Sequence, residues 1–217
     1  MIPEVPTLTG RFITLTPLDP VSDSPALFDI SHTPGVPEAL WRWMPAGPFA
    51  DVEAMRQYFQ NWQANPDVRA FTVRTLPDGQ PVGSISLMSI RPPHGVAELG
   101  NIWYAPSVQR TKVNTEANFL LLRHCFETLG YRRMEWKCNA LNAPSRQAAL
   151  RLGYRFEGIF RQHMIVKGQN RDTAWFSIID QEWAKTGQAL AHWLYEDDSQ
   201  ALGSLTRLGE GTASSAP

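Results

Sequence analysis

The chain has 217 residues, with 20 basic and 21 acidic side chains for a formal net charge of -1, and 43% of its residues are hydrophobic. That length suits one domain of roughly 100–200 residues with at most a small appendage, and eight Trp and ten Phe can anchor a sizeable core. The charge balance excludes a general pull towards nucleic acid or acidic membranes, leaving only local patches.

Residues 11–18 (RFITLTPL) alternate and read as a first strand ended by Asp19-Pro20. A short helix is expected over 25–31, then an ordered loop rich in Pro, Gly and Trp over 34–48. Asp51 reads as the cap of an amphipathic helix to about Ala64, with Val52, Met55, Tyr58, Phe59 and Trp62 on one face. Segments 69–76 and 81–90 form a hairpin across Pro77-Asp78-Gly79-Gln80, whose Asp-Gly suits left-handed backbone angles. Strands are then expected at 96–104 and 133–139, with a helix over 112–129 between them. A helix over 144–152 ends at Gly153. Strands near 156–166 and 173–179 complete the sheet, and 180–195 reads as a last amphipathic helix. The order of elements argues a mixed α/β (α+β) fold around one central, mostly antiparallel sheet flanked by helices, with residues 1–195 as its domain. Residues 196–217, rich in Ser, Gly, Ala, Thr and acidic side chains, are expected to form a loosely packed, flexible tail.

Cys125 and Cys138 fall in regular segments and read as buried, reduced thiols. The first residues show neither a basic nor an apolar run of a secretory signal. No stretch approaches the roughly 18 apolar residues of a membrane helix. A cytoplasmic protein with no membrane or nucleic-acid partner is expected. His94, His124 and His163 stand apart, no Cys/His spacing suits zinc, and no metal is expected. Neither the G-x-x-x-x-G-K-[ST] phosphate loop, G-x-G-x-x-G nor the G-x-S-x-G elbow occurs.

Chemistry concentrates between Glu98 and Gly158. A strand running to Trp103 and Tyr104 turns through residues 105–108 into Gln109-Arg110-Thr111-Lys112-Val113-Asn114-Thr115, the start of a helix. Backbone N–H groups at such a helix start lack partners and point one way, which suits phosphate. A plain basic helix start on a solvated loop is the competing account. Further on come Leu129-Gly130-Tyr131, then Asn142-Ala143-Pro144-Ser145, then Leu152-Gly153-Tyr154 and Glu157-Gly158. Asn142 and Ser145 suit the cap of the following helix. Glu98 on its own reads first as a solvent-facing strand carboxylate.

In this order the motifs resemble those of the GNAT superfamily of N-acetyltransferases, nearest to its RimJ/RimL-like branch: Gln109-x-x-Lys112-x-Asn114 followed by Thr-Glu-Ala is similar to the Q/R-x-x-G-x-G/A pyrophosphate loop. The resemblance implies a sheet splayed between its fourth and fifth strands and an enzyme that moves acetyl from acetyl-CoA to a primary amine in a ternary complex. The acceptor is then a protein N-terminus or a small-molecule amine. It implies cosubstrate contacts from Trp103, Tyr104, residues 109–115, Asn142 and Ser145. It also implies Glu98 as general base, and a strand N–H near residues 102–104 would hold the oxyanion; Ser145 is the best-placed substitute for the acid that assists CoA departure. Trp41, Trp43 and Met44 fall where the acceptor pocket is built, and serve equally as core plugs. The sequence departs from the pattern in two places: no glycine occurs in the loop, where Arg110 and Lys112 would compensate by charge, and Ala149 replaces the usual acid Tyr. These departures keep a second class open, a non-catalytic acyl-CoA-binding module. A homodimer is also left open.

Overall fold

The computed structural model describes residues 6–207. Its strands are β1 (Leu8–Thr9), β2 (Ile13–Pro17), β3 (Arg69–Thr75), β4 (Pro81–Arg91), β5 (Val96–Tyr104), β6 (Arg133–Asn139), β7 (Arg155–Val166) and β8 (Gln169–Ile179). The helices are α1 (Pro20–Ser31), α2 (Pro37–Trp41), α3 (Val52–Gln63), α4 (Val113–Arg123), α5 (Ala143–Arg151), α6 (Asp180–Tyr195) and α7 (Leu202–Arg207). The strands form one sheet in the order β1-β2-β3-β4-β5-β6-β8-β7. Among them only β5 and β6 pair in parallel, because the helix α4 crosses between them. The short β1 makes the expected fourth and fifth strands β5 and β6.

Period-two alternation sends successive residues of the central strands to opposite faces of the sheet, where two cores lie. On one face Phe71, Ile85, Leu87, Leu99, Trp136 and Phe176 meet α4, α5 and α6. On the other, Leu18, Ala70 and Trp103 meet Leu27, Trp41, Met55 and Phe59 from α1–α3. Leu99 and Trp103, four residues apart, would share a face in a regular strand. They do not, because β5 bulges. Ser84 pairs with Trp103 and Ser86 with Gly100, so one extra residue is inserted, and Asn101 takes a left-handed φ of 51°.

Three expectations are corrected. The first helix starts at Pro20, not near Pro25. Asp19, read as the end of a strand, caps it by accepting from Val21 N, and Pro20 fits the first turn. Pro25 therefore lies inside α1. The helix over 112–129 is α4 followed by a π turn at His124–Thr128. The segment after α6 is not loose as far as it is described. Residues 202–207 are helical, Leu202 is buried against the core, and Thr206 Oγ1 donates to Arg151 O. Residues 208–217 of the expected tail lie outside the described residues. Cys125 and Cys138 are free and buried, and no described helix is long and apolar enough to cross a membrane.

Candidate active site

The parallel register runs Val96↔Arg133, Ala97↔Met134, Glu98↔Glu135 and stops. Beyond that last rung β5 and β6 diverge, although both strands continue, to Tyr104 and Asn139. The backbone edges that face each other across this splay lack a strand partner, which leaves polar groups ready for an extended ligand. Glu98 stands at the apex.

Glu98 is 5% exposed and leaves the face of α1–α3, since Ala97 and Leu99 point into the opposite core. Its Oε2 accepts from Lys137 Nζ at 2.8 Å and from Ser89 Oγ at 3.3 Å, while Oε1 has no hydrogen bond among the described residues. Gly100 lies alongside, where a Cβ would sit 3.4 Å from Oε1. Burial pushes the Glu98 carboxyl above its ordinary value. Lys137 offsets this by charge and hydrogen bond, and the neighbouring Glu135 charge reinforces it. Glu135 is also buried, yet hydrogen bonds from Arg133 and Lys137 and the charges of Lys137 and Arg91 outweigh burial and hold it below its ordinary value. From above, Tyr58 of α3 donates to Asn101 Oδ1 at the bulge (3.1 Å), and Trp62 Nε1 donates to Ser86 Oγ (3.1 Å).

Ser145 approaches the splay from the other face. Asn142 Oδ1 accepts from Ser145 N, as the cap reading expects. The Ser145 hydroxyl accepts from Trp136 Nε1 at 3.0 Å. An indole N–H is a donor only, so the hydroxyl proton is left over. Its neighbour is the Cys138 thiol, which burial pushes up and a hydrogen bond from Ser145 partly lowers. Ala149 is wholly buried, with no titratable group in its place.

The loop at the start of α4 achieves its shape without glycine. The two usual glycine positions hold Lys112, at φ -70°, and Asn114, inside the helix, so neither needs a left-handed backbone. The left-handed residue is Arg110, at φ 63° and exposed. Thr111 Oγ1 accepts from Val113 N (3.3 Å), and Gln109 Nε2 donates to Tyr104 O (3.0 Å). The N–H groups of Asn114 and Thr115 have no acceptor among the described residues. They are the donors that a helix start leaves without an intrahelical partner.

Several side chains expected at the site serve elsewhere. Lys112 Nζ turns away from the loop to Leu194 O (3.2 Å) and Asp198 (3.0 Å) at the end of α6, so its charge neutralises that helix terminus. Val113 is buried core, Asn114 bonds Asn118, and Thr115 Oγ1 accepts from Arg151 (2.9 Å). Trp103 and Tyr104 are buried in opposite cores, so only their backbone faces the splay. Trp41 is a core plug, 1% exposed, with its ring 5.3 Å from that of Trp103. Trp43 and Met44 beside it are half-buried. Lys137, Glu135 and Trp175 were missed. Three charged residues at alternate positions of a central strand, Arg133, Glu135 and Lys137, were the available signal.

Comparison with known proteins agrees with this architecture. An acetyltransferase (GNAT) domain model matches residues 13–155. The Bacillus subtilis protein "Putative ribosomal N-acetyltransferase YdaF" is 26% identical over 144 residues, 66% of this chain and 78% of its own. The crystal structure of a GCN5-related N-acetyltransferase from Brucella melitensis is 39% identical. It covers 96% of this chain and 97% of its own at a TM-score of 0.89. Mycobacterium smegmatis RimJ, solved with CoA-disulfide, shares the fold at 22% identity and a TM-score of 0.71, with 85% and 91% coverage.

Proposed function

From the premise that this chain belongs to the GNAT family of acetyl-CoA-dependent N-acetyltransferases, we propose that Glu98 is the general base of a direct transfer to a primary amine. The acceptor is a protein N-terminus or a small-molecule amine. Glu98 takes a proton from the ammonium, the freed amine nitrogen attacks the thioester carbonyl, the C–S bond breaks, and the departing thiolate takes the second nitrogen proton, relayed through Ser145. Primary amines are mostly protonated near neutral pH, so a base is chemically required.

The observation that carries this reading is the place of Glu98. It is a buried carboxylate at the last rung before the splay, bonded through Oε2 alone. Burial raises its proton affinity towards the working range of a base. Ser145 lies across the sheet from it, which supports an acid acting on the sulfur while the base acts on the nitrogen. The free N–H groups of Asn114 and Thr115 support pyrophosphate binding by backbone rather than by side-chain charge. Backbone N–H groups of β5 near Trp103 are the candidates for holding the oxyanion.

Glu98→Gln keeps shape and removes the base. Turnover should fall by roughly 10²–10⁴-fold while the acetyl-CoA Kd stays constant. Calorimetric titration and CoA-release kinetics over a panel of amines and N-terminal peptides measure both. Turnover near that of the parent at its optimal pH would make Glu98 a structural carboxylate.

A further inference from the structure

Glu98 is not alone at the apex. Glu135 and Lys137 leave the same face of β6, and Trp136 between them leaves the other. Lys137 Nζ lies 2.8 Å from Glu98 Oε2, 2.9 Å from Glu135 Oε2, and 4.1 Å from the centre of the Trp175 ring. The Lys137 side chain is 14% exposed, and an ammonium so far removed from water persists only where carboxylates meet it. The two carboxylates depend on it unequally. Glu135 also receives Arg91 and Arg133, each at 2.9 Å. Among the described residues, Lys137 is the one cation in hydrogen-bond contact with Glu98.

We propose that Lys137 is a positioning residue for Glu98, an internal counter-ion that pins Oε2, keeps the carboxylate ionised and leaves Oε1 to receive the acceptor's proton. This rests on the reading of Glu98 as the base. Glu135 and the Trp175 ring fix the ammonium in turn, so the strands carry a built row across the sheet: Glu98 on β5, Lys137 on β6, Trp175 on β8. Other ionisable groups act on Glu98 from further away. Glu135 pushes its proton affinity up, the Arg171 cation of β8 attracts it, and its charge opposes ionisation of Tyr154 in the opposite core. Ser89 on β4 adds a hydroxyl donor.

The sign follows. A base works only when ionised, so the acid limb of kcat/KM tracks the Glu98 carboxyl. Without Lys137, burial and Glu135 are opposed only by the Ser89 hydroxyl and the more distant Arg171, and the limb moves to higher pH. Without the Glu135 charge the limb moves the other way. The experiment is a pH profile of CoA release with acetyl-CoA and one acceptor, the most active of a panel of short free-N-terminus peptides and primary alkylamines. Lys137→Met should raise the limb by about 1–3 pH units, the range for loss of a close opposite charge, with a smaller loss on the alkaline plateau. Lys137→Arg should stay near the parent limb, and Glu135→Gln should lower it. If Lys137→Met folds poorly in a thermal melt, the Glu135→Gln and Lys137→Arg profiles decide alone. An unmoved limb in all three variants, or equal losses at every pH in both lysine variants, overturns the proposal. Glu98→Gln separates the two ideas. If it abolishes turnover and the other limbs stay put, only the role of Lys137 fails; if it retains the parent rate and limb, the base assignment fails with it.

Discussion

Two buried glutamates lie 18 positions apart, one at the splay and one on α4, and they differ in what fills their lone pairs. Glu116 is wholly buried, and its carboxylate accepts from the backbone N–H groups of Arg11 (2.7 Å), Phe12 (2.8 Å) and Ile13 (2.9 Å). It also receives the Tyr195 phenol, whose ionisation burial and that hydrogen bond push upward. Gly10 presses against it so closely that a Cβ there would overlap the carboxylate. Glu98 is met by side chains alone, a lysine and a serine, on one oxygen. Backbone donors cannot move or withdraw, so a carboxylate that they saturate is a clamp. It ties the start of β2 to α4. A carboxylate met by side chains on one oxygen keeps a lone pair for chemistry. The contrast teaches that burial by itself does not mark a base.

Paired exchanges to Gln sharpen this contrast most. Glu98→Gln should fall in turnover by the two or more orders of magnitude given above and unfold near the parent temperature, because Lys137 still has Glu135. Glu116→Gln should behave oppositely. An amide keeps one acceptor oxygen and turns a donor towards a backbone N–H, so stability should fall by about 2–4 kcal/mol, as for lost hydrogen bonds to a charged group. For a chain of this size that is roughly 2–4 °C in Tm per kcal/mol. The folded fraction should retain its kcat. A Glu116→Gln enzyme that is stable but inactive would break the distinction.

A smaller effect is expected at Ser145. On the proposed role, Ser145→Ala removes a donor to the departing thiolate but leaves a tolerable leaving group, so kcat should fall by about tenfold, equivalent to about 1.4 kcal/mol. The Trp136 N–H also loses its acceptor, and a thermal melt separates that from chemistry. An unchanged kcat would leave proton delivery to water.

The smallest effect tests the loop. Lys112→Ala should lower stability by about 0.5–1 kcal/mol, through the lost contacts with the α6 carbonyls and Asp198. The acetyl-CoA Kd should not change at low or high salt. Titration calorimetry on the variant checks this, and a salt-sensitive loss of affinity would return Lys112 to the binding site.

The elements whose signals are local were legible in the sequence. The bounds of β5, β6 and α6 were read as they stand, because alternation and helical period are written within each segment. Asn142 as a cap and Gly153 at φ 93° were equally local, one a side chain bonding three residues on, the other a backbone angle that favours glycine. The family motifs likewise sit in contiguous stretches, so the splay between β5 and β6 was legible from them. Tertiary structure alone decided how distant side chains share charge. Lys137 reaches Glu98 across 39 positions, Lys112 reaches Leu194 across 82, and Glu116 reaches Arg11 across 105. Nothing in a local pattern encodes these partners, since they follow from which strands lie side by side. The bulge at Asn101 decided as much again, because one inserted residue reverses which core every later side chain of β5 enters.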